Sequence, residues 1–130
     1  MIEVYRKELD IVFEHAQREY PKECCGVLLG YKDMGRIVQV FSVNNADVAD
    51  RQKLHYLIHP LELYRIECEA AKNDLEVIGF YHSHTDYPAV LSKEDMQTMV
   101  PNILYLIISV VQGKCIEMGD LQSEFCAYRR

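Results

Sequence analysis

Glycine and proline are scarce, six and four among 130 residues. Together with the lack of any repeat, low-complexity tract or linker, this argues against fibrous and disordered classes. Cysteines are few and lack a metal-binding or disulfide pattern. The five (Cys24, Cys25, Cys68, Cys115, Cys126) are odd in number and form no C-x-x-C pair, as expected of reduced, mostly buried thiols rather than a secreted disulfide framework or a structural zinc on thiolates. Long apolar runs are missing too. The longest, residues 103–111, covers about nine positions against the ~20 of a bilayer span, and residues 1–8 have no signal-peptide centre. A cytoplasmic protein with no membrane partner is expected. Basic residues are outnumbered, 14 Lys and Arg against 20 Asp and Glu for a net charge of −6, and they are scattered. Nucleic acid is therefore not an expected partner, and the nine tyrosines are too dispersed to suggest a base-stacking platform.

What is present fits one soluble globular domain, residues 1–130, with 49% hydrophobic and 26% charged residues. A chain of this size buries roughly two thirds of its unfolded surface, enough for a core without a scaffold metal. Any metal would serve chemistry.

Residues 7–20 set Leu9, Val12, Phe13, Ala16 and Tyr20 at helical spacing, and Pro21 ends the pattern. Strands follow at 24–29 and 36–43, with Asp33-Met34-Gly35 as the turn between them. After a polar loop at 44–47, residues 54–58 are expected as a strand. Pro60 opens a second helix with Leu61, Tyr64, Cys68 and Ala71 on one face, ended by Asn73-Asp74. Residues 76–84 form a buried strand leading to a polar loop at 85–91 and a short helix from Ser92 to near Pro101. Residues 103–111 predict a central strand covered on both faces, and weaker strands are expected at 114–118 and 123–128. The order of elements predicts a single mixed β-sheet flanked by helices, an α/β or α+β fold.

His82 and His84 are two apart on the end of a strand, so both side chains leave one face and can converge on an ion, while Ser83 points away. Asp95, on the first turn of the following helix, could complete the set. Two imidazoles and a carboxylate, leaving a fourth position for water, is the ligand set of a catalytic zinc. Such a site needs a general base, and Glu23 is the candidate. Simpler readings exist for several of these residues. Ser92-Lys93-Glu94-Asp95 is also a capping-box pattern, and Glu23 alone could be a solvated turn carboxylate. Cys24 or Cys25 beside a histidine could be a thiol nucleophile, although cysteine more often serves as a small buried hydrophobe. His15, His55 and His59 have no acid at ligand spacing and are expected at the surface or hydrogen-bonded, with His59-Pro60 a candidate neighbour of the site.

The sequence His82-Ser83-His84, then Ser92 and Asp95, preceded by Pro21-Lys22-Glu23-Cys24-Cys25-Gly26-Val27-Leu28-Leu29-Gly30, resembles the JAMM (MPN+) metalloprotease family. The likeness extends through Tyr56-x-Ile58-x-Pro60 and Gly79-Phe80-Tyr81, and is greatest to short prokaryotic members acting on ubiquitin-like sulfur carriers. It implies a cytidine-deaminase-like fold, one zinc per chain held by His82, His84 and Asp95, Glu23 as acid and base, and Ser92 steadying the oxyanion. It further implies hydrolysis of the bond after the C-terminal Gly-Gly of a ubiquitin-like sulfur-carrier protein, releasing cysteine or a short extension. The segment 84–89 departs from the family's usual proline after the second histidine. The rival functions are a non-catalytic interaction scaffold of the same fold and a thiol hydrolase; a homodimer stays open.

Overall fold

The computed structural model of the protein describes residues 2–90, 100, 103–120 and 126–129. Strand β1 (Ile2–Tyr5) runs directly into helix α1 (Arg6–Glu19), whose inner face carries Leu9, Val12 and Ala16. Strands β2 (Cys25–Tyr31) and β3 (Arg36–Val43) form an antiparallel pair joined by a short 3-10 turn, closed by Gly35 at φ 60°, a left-handed conformation that glycine adopts without steric cost. Helix α2 (Pro60–Lys72) begins with proline at its first turn and is capped by His59, whose Nδ1 accepts from the Leu61 amide. Strands β4 (Glu76–Thr85), β5 (Leu104–Val111), β6 (Lys114–Asp120) and β7 (Cys126–Arg129) complete the described elements.

These strands form one mixed sheet in the order β6-β5-β4-β2-β3-β1-β7. β4 runs parallel to β5, and β1 parallel to β3 and β7, while β2 is antiparallel to both its neighbours. Alternation along the central strands sorts the side chains between two cores. On one face, Leu28, Ile78, Tyr81, Leu104, Leu106 and Ile108 pack with Leu9, Val12 and Ala16 of α1. On the other, Cys25, Val27, Leu29 and Val43 pack with Ile66 and Ala70 of α2. The single mixed sheet flanked by helices is thus as the sequence predicts.

Three expectations are corrected and one strand is added. Residues 54–58 form no strand: Leu57 is tied to the preceding loop, donating to Asn45 Oδ1 (3.1 Å) and accepting from the Ala46 amide (2.7 Å). β1 was not foreseen, since four residues are too few to show a period. The face of α2 that meets the sheet is Leu63, Ile66 and Ala70, whereas Leu61, Tyr64 and Cys68 are exposed. Both sets have helical spacing, so periodicity alone could not choose between them. β5 is covered on both faces but lies second from the sheet edge rather than at its centre. The expected helix beginning at Ser92 falls outside the described residues, apart from Val100.

Candidate metal centre and active site

Glu23 lies between α1 and β2, and its main chain is fixed on both sides. Its amide donates to the Gln52 carbonyl (2.6 Å), and its carbonyl accepts from Asn45 Nδ2 (3.0 Å). Asn45 Nδ2 also donates to the His55 carbonyl (2.9 Å), while Asn45 Oδ1 accepts from the amides of Asp47 and Leu57. One amide side chain thereby joins the segment at Glu23 to the whole loop before α2. The Glu23 side chain is 2% exposed. Glutamate is rarely buried without a partner, and here the Tyr87 hydroxyl donates to Oε2 (2.5 Å).

His82 and His84 both lie on the face of β4 that carries Phe80, and both are buried. Ser83, on the opposite face, joins the site to the sheet. Its Oγ accepts from the Cys24 amide (2.8 Å) and its amide donates to the Cys24 carbonyl (3.1 Å), placing β4 beside the residue that follows Glu23. The Nε2 atoms of His82 and His84 face each other at 3.2 Å. Two nitrogens each about 2.0–2.1 Å from a zinc ion at a tetrahedral angle would stand about 3.3 Å apart. His84 Nδ1 lies 2.7 Å from the Pro88 carbonyl, which can only accept, so Nδ1 carries a proton and Nε2 is the nitrogen whose lone pair a metal would use. A carbonyl on the outer nitrogen is a common way to orient a ligand histidine. The pair fits a metal by nitrogen type, spacing and burial.

Among the described residues, no group of three His, Cys, Asp or Glu comes together as a complete ligand set. Asp95, the expected third ligand, and Ser92, the expected oxyanion contact, lie outside the described residues.

Aromatic rings flank the pair. Tyr56 stacks on His82 (centroids 4.4 Å, planes 20° apart) and Tyr87 on His84 (4.1 Å, 18°). The loop after β4 is held where it turns. Asp86 adopts φ 64°, accepts at Oδ2 from the Tyr20 hydroxyl (2.6 Å) and at Oδ1 from the Gln112 amide (2.9 Å), and donates its own amide to Val110 (2.7 Å). These bonds hold the Asp86 carboxyl below its ordinary pKa. Thr85 Oγ1 donates to the Lys53 carbonyl, and Ser109 Oγ, one strand over, donates to the Tyr87 carbonyl (both 2.7 Å).

Sequence reasoning assigned no role to Tyr56, Tyr87, Asn45 or the Tyr20–Asp86 pair. The only signals were position: Tyr56 stands in a segment that carries the resemblance, and Tyr87 falls within the departure from the usual pattern after His84. The thiol alternative is disfavoured by burial, which raises Cys24 to about 12 and Cys25 further in the same direction, so neither is a thiolate near neutrality. His15 is buried and bonded to the Tyr81 hydroxyl on the α1 side, and exposed His59 serves as a helix cap.

No helix among the described residues is long and apolar enough to cross a membrane. The family described as prokaryotic homologs of the JAB domain matches residues 6–123. The desampylase of Haloferax volcanii is 34% identical over 107 residues, 77% of this chain and 74% of that protein. The CysO-cysteine peptidase of Mycobacterium tuberculosis is 29% identical over 96 residues, 73% of this chain and 64% of that protein, so the chain spans under two thirds of it. Among solved structures, a Desulfitobacterium hafniense protein superposes with a TM-score of 0.79 at 26% identity, covering 99% of this chain and 93% of that one. A chain described as a JAMM metalloprotease-like zinc site in the proteasome and signalosome shares the fold, with a TM-score of 0.52 at 18% identity over 84% of this chain and 76% of that one. With the match running through both described helices, the central strands and the histidine pair, the chain belongs to the prokaryotic homologs of the JAB domain, the JAMM family its sequence resembles.

Proposed function

We propose that the protein is a zinc-dependent peptidase or isopeptidase that hydrolyses the bond after the C-terminal Gly-Gly of a ubiquitin-like sulfur-carrier protein, releasing cysteine or a short C-terminal extension. The observation that carries this reading is the buried Glu23 carboxylate, joined through Tyr87 to the ring of His84. A solvated turn glutamate would have no such environment, and a scaffold would have no use for one. The activities for which the desampylase and the CysO-cysteine peptidase are named support a substrate of this class.

In this mechanism His82 Nε2 and His84 Nε2 would hold one zinc ion with the Asp95 carboxylate. Zinc, when bound, supplies a Lewis acid that lowers the pKa of water to about 7 and polarises a carbonyl. The Glu23 carboxylate takes a proton from the attacking water as its oxygen bonds to the scissile carbonyl carbon. It then delivers that proton to the amine nitrogen as the C–N bond breaks. The role proposed for Ser92 is a hydrogen bond to the oxygen that gains charge in between. The histidine pair is buried and flanked by two tyrosine rings, which supports a tail of glycines rather than bulky side chains beside the cleaved bond.

Glu23→Gln tests the reading. Turnover of a carrier extended beyond its Gly-Gly should fall by roughly 10²- to 10⁴-fold with zinc content unchanged. Full activity in that variant would show the mechanism to be wrong.

A further inference from the structure

We propose that Tyr87 is a positioning residue for this hydrolysis: its hydroxyl holds the Glu23 carboxylate in the orientation in which it exchanges protons with water and the leaving amine. The inference rests on the hydrolase reading and adds a residue outside the histidine, serine and aspartate motif. The terminal torsion of a glutamate is broad and weakly defined, so a buried carboxylate needs a directed partner to keep one oxygen turned towards the reacting atoms. The Tyr87 hydroxyl meets Oε2, which fixes the rotation of the group.

Tyr87 is itself fixed from several directions. Its ring stacks on His84, and its carbonyl accepts from Ser109 Oγ. The preceding Asp86 is set in the left-handed region by Tyr20, Gln112 and Val110. Aspartate tolerates that conformation better than most residues. The chain therefore leaves β4, turns sharply at a latched residue and returns one tyrosine onto the candidate base and the candidate ligand together. Packing against His84 would require only the ring. The hydroxyl has a separate task, and Tyr87→Phe separates the two.

The test uses the zinc-loaded chain and, as probe, a ubiquitin-like protein extended by one residue beyond its Gly-Gly end. In Tyr87→Phe, kcat should fall roughly 10- to 100-fold, as misplacement of a reacting group does, with KM and zinc per chain unchanged. Tyr20→Phe, which loosens the latch at a distance, should lower kcat in the same direction by less. A Tyr87→Phe variant with wild-type kcat, or with its loss confined to KM, would overturn the proposal while leaving the hydrolase reading intact if Glu23→Gln is inactive. A second readout needs no turnover: the carbon-13 carboxyl resonance of Glu23, identified by its disappearance in Glu23→Gln, should shift in metal-free Tyr87→Phe. An unmoved resonance overturns the proposal. A wild-type chain that loads zinc but leaves the probe intact would sink the hydrolase reading and the working role of Tyr87 with it, while the resonance would still report whether the contact exists.

Discussion

The ring of Tyr81 lies against Gly26, its partner across β2 and β4, so closely that a Cβ on the glycine would come within 2.0 Å of the ring. Tyr81 is fully buried, and its hydroxyl sits 2.7 Å from His15 Nδ1 on α1 and donates to Ser42 Oγ (3.1 Å) on β3. A bulky aromatic ring cannot yield to a new methyl group without disturbing both bonds. Gly26→Ala should therefore destabilise the fold by about 1–3 kcal/mol, seen as a fall in Tm of roughly 3–10 °C. An unchanged Tm would mean that the ring can move at little cost.

Removing one imidazole should remove the metal. The wild-type chain, purified under reducing conditions, should carry near one zinc, and His82→Ala should carry almost none, because the facing Nε2 pair is broken. Zinc that persists at wild-type stoichiometry in the variant would place the metal elsewhere.

Chelation should leave the protein folded. Both cores are assembled from apolar side chains of the sheet and helices, and neither includes His82 or His84. The far-ultraviolet circular dichroism of the zinc-free chain should match that of the loaded chain, with Tm lowered only by the lost binding energy. Unfolding on chelation would make the metal structural.

Acid should weaken the fold in part through His15. Burial holds its imidazole below the ordinary value, outweighing the upward pull of Glu19, while Arg18 acts in the same direction as burial. The unfolded chain, titrating near about 6.5, then takes up the proton first. This contribution to stability is complete above the unfolded value and is lost as pH falls from there towards the lower folded value. His15→Gln should flatten the stability profile below about pH 6.5 relative to wild type. Profiles of equal slope would show that His15 titrates alike in both states.

The buried thiols should resist alkylation. Native protein treated with iodoacetamide at neutral pH should be modified at exposed Cys68 and spared at Cys24 and Cys25, with activity retained. Loss of activity tracking modification of Cys24 or Cys25 would revive a thiol mechanism.

The sheet apart from β1, both described helices and the histidine pair were legible in the sequence because each leaves a local trace. Residues 36–43 are rich in β-branched side chains, Pro60 marks a helix start, and His82 and His84 are spaced for one face of a strand. The surroundings of the site were not legible, since they depend on contacts between distant segments. Nothing near Tyr87 in the chain says that its hydroxyl meets Glu23, and nothing near Asn45 says that it braces Glu23 and His55 together. The inner face of α2 was misread for a related reason: two sets of apolar residues fit one period, and only the docked sheet distinguishes them.

β4 is buried from Ile78 to Thr85 apart from Phe80, which is partly covered. Tyr81 and Ser83 serve the α1 side while His82 and His84 serve the site, so the strand has almost no position free to drift. Selection for a new substrate, in nature or in the laboratory, would find its viable changes at the exposed side chains of the loops at 44–59 and 85–90, such as Val48, Leu54 and Val90, rather than at the loop residues that hold Glu23 and the histidines. Paralogs with divergent specificity should accordingly differ most at those exposed loop positions and least along this strand.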